Sequence, residues 1–177
     1  KRQPVRQSRR ACELQSRLLL KRRSSPMNRW LMKSEPSEVS IDDLAKRPKK
    51  TVSWFGVRNY QARNFMRDEM RLNDPVFFYH SSCDEPGIAG IAKVVSAPYP
   101  DETQFDPESK YYDPKSTREN PRWINVDVQL VRKTRLVSIQ ELRDRPELAG
   151  MRILQRGNRL SITPVTTEEW AFIESLL

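Results

Sequence analysis

The sequence predicts an α+β domain, a small mixed β-barrel with flanking helices. Three observations lead there. Short strand-like runs dominate the middle of the chain, helix-start signals sit at both ends and in one insertion, and neither βαβ alternation nor an internal repeat is present. The 177 residues suit one globular domain with an appendage, at about 100–200 residues per domain.

Taken in order, Trp30–Ser34 reads as a short strand closed by Glu35-Pro36. Ser40, followed by Asp42 and Asp43, opens a helix: its hydroxyl can accept from an orphan N–H, the acids favour the positive helix end, and Pro48 follows the exit. Thr51–Trp54 is a brief extended run that stops at Gly56. Asn59 caps a second helix, with Ala62, Phe65, Met66 and Met70 on one face and Arg58, Arg63, Asn64 and Arg67 on the other. Val76–Ser81 and Gly87–Val95 are the next strands, and Gly87 and Gly90 mark backbone that bends or is closely approached.

Residues 98–122 form an aperiodic loop rich in Pro, Asp and Tyr, and a loop of about 25 residues inside a domain is expected to be functional. From Trp123 to Val131, Ile124, Val126, Val128 and Leu130 alternate with Asn125, Asp127 and Gln129, the pattern of a half-buried strand. Capping boxes at Ser138–Glu141 and Thr166–Glu169 start two more helices; the last turns Trp170, Ile173 and Leu177 inward. Between them Arg159–Ile162 reads as a strand after a Gly157-Asn158 turn.

The formal charge of +9 is unevenly spread. Nine of the 32 basic residues and one of the 23 acids fall in residues 1–26, so residues 27–177 carry only +1. That division sets the expected organisation: a basic tail at 1–26 and a domain at 27–177. The tail reads as a disordered basic arm, as an organelle-targeting peptide, or, the preferred reading, as non-native residues upstream of a true start at Met27. A nearly neutral body cannot grip nucleic acid by bulk charge, so any binding should be modest and only weakly salt-dependent.

Several chemistries are excluded by what the chain lacks. It has no run of 18 apolar residues that would suit a membrane-spanning helix. Cys12 and Cys83 form neither a disulfide framework nor a CxxC zinc site, and a single histidine, His80, rules out a His-rich metal centre; no metal or cofactor is expected. The setting is expected to be a reducing one, the cytoplasm, nucleoid-associated in a bacterium or nuclear in a eukaryote. Phosphate-loop, dinucleotide, nucleophile-elbow and HExxH motifs are absent. Ser81, Ser82 and Cys83 adjoin His80, but successive strand residues point to opposite faces, so a local hydrogen bond is the preferred role for His80. No catalytic activity is expected. An enzyme on nucleic acid using His80 or Asp127 as acid or base is a minor alternative, as is an interaction domain.

Aromatic residues cluster in and beside the strands, and for Phe77, Phe78 and Trp170 core packing is the preferred role. Trp54 differs, because Ser53, Gly56, Arg58, Asn59 and Asn64 make its surroundings polar. An exposed indole there would serve as a stacking platform for one extruded base. Stacking is worth roughly 1–3 kcal/mol per base and must repay the few kcal/mol that flipping costs.

Seven blocks in order, Trp30–Pro36, Trp54–Phe65, Phe78–Ser81, Pro86–Gly90, Tyr112–Ser116, Asn120–Trp123 and Arg159–Ser161, resemble the EVE domain family from about Trp30 to Leu177. Leu72-Asn73-Asp74-Pro75 departs from the family, which has a Gly-Asp turn at that hairpin corner, away from the pocket. The resemblance implies a PUA-like fold and a non-catalytic reader of one modified base in an aromatic cage, distantly related to YTH domains. A 5-substituted cytosine in DNA is the first expectation, and modified or structured RNA is the alternative. By the same analogy Trp54 forms one wall of the cage, Lys33 and Ser34 its floor or edge, and Tyr112 or Trp123 the opposite wall. Asn59, Tyr79, His80 and Ser81 offer polar contacts, and Arg58, Arg63, Arg156 and Arg159 hold phosphate. A monomer is expected.

Overall fold

β1 (Trp30–Ser34) pairs in parallel with β3 (Pro75–His80) and antiparallel with the short β8 (Ile162–Pro164). β3 continues to β4 (Gly87–Val94), β4 to the 12-residue β7 (Asp127–Ser138), and β7 to β2 (Thr51–Ser53), all antiparallel. The order β2-β7-β4-β3-β1-β8 curls into a six-stranded half-barrel, helped by register shifts in the β3–β4 and β4–β7 pairs. β5 (Tyr99–Pro100) and β6 (Ile124–Asn125) form a separate two-stranded ribbon. This is the mixed α+β fold expected. The structure, a computed structural model, describes residues 27–177; the expectations for the tail at 1–26 lie outside the described residues.

Alternation along the central strands sends side chains into two cores. Trp30, Met32 and Phe78 join Trp54, Phe65, Met66 and Leu160 on one face. Leu31, Phe77 and Tyr79 join Ile88, Val137, Leu142 and Ile173 on the other, where Phe77 stacks on Trp170 at 3.8 Å between ring centroids. Burial on both faces is why Val76–Tyr79 is continuously apolar.

The helices start where the caps place them. α1 (Pro36–Val39) leads into α2 (Ile41–Lys46), which opens on a complete capping box between Ser40 and Asp43. Asn59 accepts from the N–H groups of Gln61 and Ala62 at the start of α3 (Tyr60–Asn64). This helix widens into a π-type turn over Phe65–Glu69, with Ala62, Phe65, Met66 and Met70 buried. α5 (Thr167–Glu174) carries the second complete box, Thr166 with Glu169. At α4 (Ile139–Arg143) only Ser138 plays its part, because Glu141 directs its carboxylate to Arg135.

Three details correct the sequence reading. The last strand begins at Ile162, after the turn through Gln155–Asn158 and the Leu160 N–H bonded to Asn158, so Arg159 stands outside the sheet. The run 123–131 breaks at Val126, whose carbonyl accepts from the Trp54 N–H at 2.8 Å. Beyond Leu130 the strand runs on through exposed Val131, Arg132 and Lys133, a stretch without alternation. Asn73, in the corner that departs from the family, has φ 70°, a left-handed conformation that asparagine tolerates better than most residues do.

Candidate functional site

A cavity of about 380 Å³ opens where the end of β1, helix α1 and the segment after β2 meet the 98–123 loop. Lys33 and Ser34 enter it from β1, Glu38 from α1, and Ser53, Trp54, Phe55, Gly56, Arg58 and Asn59 from the run leading to α3. Ser81, Tyr111, Arg159 and Ser161 add to its wall, with Glu35 and the apolar Val39, Val52 and Val57. Sharp local geometry makes this possible. Gly56 has φ +81°, and a Cβ there would lie 2.6 Å from the Tyr111 ring, so the glycine lets the ring settle against bare backbone. Phe55 meets the same ring edge-on at 5.9 Å.

The loop that carries Tyr111 is tied down from both sides. Arg58 donates to the Tyr111 carbonyl through Nε at 2.8 Å and Nη2 at 2.5 Å, and pairs through Nη1 with Asp101 at 2.8 Å. Asp101 is buried and also accepts from the Gly56 N–H, the Thr103 N–H and the Thr103 hydroxyl. Burial pushes its carboxyl up, but the hydrogen bonds from Thr103, Arg58 and backbone outweigh that and hold it below the ordinary carboxylate value. On the far side the Tyr111 hydroxyl donates to Glu38 at 2.8 Å, and Lys110 pairs with the same carboxylate and lowers its pKa.

Trp54 is 7% exposed and meets Phe78 edge-on at 5.6 Å, so it lines the cavity from the core and is no surface platform. Lys33 is half-buried, and desolvation lowers its pKa. It joins none of the eight ion pairs among the described residues, although Glu38 lines the same cavity. A second groove, about 400 Å³, shares Asn59 and Arg159 with the cavity and adds Arg152, Arg156, Gln61, Gln155 and Asn158. Arg152, Arg156 and Arg159 likewise take part in none of those pairs.

The expected site residues therefore divide. Lys33, Ser34, Trp54, Asn59, Ser81, Arg58 and Arg159 meet at the cavity, and Arg156 lies in the adjoining groove. Tyr79 points into the opposite core, where desolvation pushes its hydroxyl up to about 12. Trp123 is buried, donates to Asp113 at 2.8 Å and stacks on Tyr60, while Tyr112 is 43% exposed outside the cavity. Arg63 is spent on the Arg122 carbonyl, the Asn64 side chain and the Tyr60 ring. Asn59 commits its amide oxygen to capping and keeps its amide nitrogen as a donor, while Arg58 is spent on bracing the loop. Tyr111, Glu38, Ser53 and Arg152 were not foreseen. A Tyr-Tyr pair in an aperiodic loop carries no signal for which ring faces inward.

His80 accepts from the Ile41 N–H through Nε2 at 3.0 Å, a bond across 39 residues of sequence rather than a local one, which caps α2 and leaves the imidazole outside the cavity. Burial lowers its pKa, so the folded chain takes up this proton less readily than the unfolded one. The stabilisation is complete above the unfolded value of about 6.5 and is lost as pH falls through the lower folded value. His80→Gln keeps an acceptor for Ile41 and removes the titration. Between pH 7 and 5 the wild type is expected to lose more thermal stability than this variant; parallel melting curves would dismiss the assignment.

An EVE domain model matches residues 28–176, and the chain belongs to that family, on a PUA-like fold. Among proteins of known name it is 47% identical over 165 residues to human thymocyte nuclear protein 1, covering 83% of this chain and 72% of the human one. Among solved structures, human THYN1 protein in complex with 5-methylcytosine-containing DNA superimposes with a TM-score of 0.79 at 47% identity, over 84% of this chain and 96% of that one. A Pseudomonas putida protein gives 0.79 at 50% identity, over 83% and 97%. Among the described residues no helix is long and apolar enough to cross a membrane.

Proposed function

We propose that this chain is a non-catalytic reader that holds one 5-substituted cytosine, flipped out of DNA, in the cavity between Trp54 and Tyr111. The observation that carries this reading is the cavity itself: aromatic rings line it, Lys33, Glu38 and Ser53 supply donors and acceptors, and an arginine groove adjoins it. The relative solved with 5-methylcytosine-containing DNA supports the choice of ligand. Arg156 and Arg159, together with Arg152, are the groups proposed to take the phosphates flanking the flipped nucleotide. The reader is proposed to act as a monomer. Its place is with chromosomal DNA, in a nucleus, as the relatives' name has it, or in a bacterial nucleoid.

Tyr111→Ala removes one wall while leaving the backbone carbonyl that Arg58 grips. Its affinity for a 5-methylcytosine oligonucleotide is expected to fall roughly tenfold, in line with about 1–3 kcal/mol per stacked base. Tyr112→Ala, one residue along and outside the cavity, is expected to leave that affinity intact. Equal losses in both variants, or in neither, would refute the cage. The same oligonucleotides made with ribose test whether the sugar is read.

A further inference from the structure

Behind Ser53, in the cavity wall, lies a polar chain that the base-reading proposal does not use. The Ser53 hydroxyl oxygen lies 2.5 Å from Asn125 Nδ2 and 3.0 Å from the Tyr99 hydroxyl, which in turn lies 2.5 Å from Asp127 Oδ1. Two sheet registers lock the four residues together: Ser53 is opposite Asp127 in β2–β7, and Tyr99 is opposite Asn125 in β5–β6. Asn125 is 3% exposed, its amide oxygen has no partner, and its amide nitrogen bonds Ser53.

The sense of each hydrogen bond follows from the chemistry of the groups. A carboxylate only accepts, so Tyr99 must spend its one proton on Asp127. The contact between Tyr99 and Ser53 is then a bond donated by the serine, and the Asn125 amide donates to the same serine. A serine hydroxyl has one proton and two lone pairs. With the proton and one lone pair committed, what Ser53 has left is a single acceptor position.

We infer that the chain Asn125–Ser53–Tyr99–Asp127 fixes Ser53 as an acceptor toward the cavity and so selects bases that present an amino group over those that present a carbonyl. The inference rests on the base-reading proposal and deepens it, with Ser53 as the contact and Tyr99 and Asp127 as positioning residues. Cytosine and thymine with the same 5-methyl group differ in this respect, an exocyclic amine against a carbonyl. A carbonyl facing a fixed acceptor leaves both oxygens unpaired, and that mismatch is the source of the discrimination.

The test compares single-stranded oligonucleotides carrying one 5-methylcytosine or one thymine at the same position, with unmodified cytosine as the reference. The wild type is expected to favour 5-methylcytosine over thymine by about tenfold or more. Tyr99→Phe keeps the ring and frees the Ser53 proton to turn into the cavity, so the ratio is expected to fall to within about threefold of unity. Ser53→Ala should do the same by removing the acceptor. A residue of merely structural importance would weaken both ligands alike and leave the ratio unchanged. An unchanged ratio in both variants, or equal wild-type binding of 5-methylcytosine and thymine, overturns the inference while leaving the cage standing. A wild type that binds 5-methylcytosine no better than cytosine overturns the base-reading proposal itself.

Discussion

Replacing Asp101 by alanine is expected to lower stability by about 3–5 kcal/mol, the range for breaking a buried ion pair, and to remove discrimination between modified and plain bases with it. Asp101 does not line the cavity, yet it holds the parts that do. Its side chain is 1% exposed and collects donors from Arg58, Gly56 and Thr103, and Arg58 passes the constraint to the Tyr111 carbonyl. Truncation leaves a guanidinium only 21% exposed without its counter-charge, and water reaching it places the loss toward the lower end of the range. Asp101→Asn keeps the volume and loses the charge, so an intermediate loss is expected. A contrast sits nearby: Arg118 and Glu102 pair at 2.9 Å but are 68% and 67% exposed, and truncating either should change stability by no more than about 1 kcal/mol. Urea unfolding of the three variants gives the order directly. Because the Asp101 carboxyl is held below its ordinary value, its contribution is complete above the unfolded carboxylate range and lost as pH falls through the folded one. An Asp101→Ala protein that unfolds with the wild type would remove the anchor.

The order of elements is readable because each rests on a local rule. Ser40, Asn59 and Thr166 stand immediately before helical periodicity and cap it, and Val76–Tyr79 is apolar throughout because both its faces are buried. The errors arise where a competing partner decides, far away in sequence in one case and nearby in the other. The break at Val126 exists because its carbonyl serves Trp54, 72 residues earlier. Glu141 leaves its capping role because Arg135 lies within reach. The Val126 competition shows in no window of a dozen residues, whereas Arg135 and Glu141 stand only six residues apart.

The site is less legible than the fold for the same reason. Lys33, Ser34 and Ser81 could be placed because they leave strand ends beside the polar segment that follows Trp54. Tyr79 could not, since one step along the strand reverses its face and carries it into the opposite core. Arg58 and Arg159 look alike as letters, yet one braces a buried carboxylate and the other lies in a groove free of ion pairs. Only the fold of residues 98–123 over Gly56 separates a structural arginine from an available one, and that fold has no periodic signature.

Trp54→Ala is expected to cost about 3–5 kcal/mol of stability as well as the preference for a modified base, because the indole serves both. The surrounding Ser53, Gly56, Arg58 and Asn59 suggest an exposed ring, but extended backbone alternates, and Trp54 shares its side with Val52 in the first core. At 7% exposure most of the indole packs on protein, against the edge of Phe78, and only the remainder meets the cavity. For a domain of this size the loss amounts to roughly 6–20 °C in melting temperature, so binding has to be measured well below the transition. Trp54→Phe separates the two roles: a smaller ring still fills much of the core and still stacks, so both stability and preference should fall between wild type and alanine. An alanine variant that melts within about 2 °C of the wild type would place the indole outside the core. One that stays folded and keeps its full preference for 5-methylcytosine would show that the ring facing the cavity is not what the base rests on.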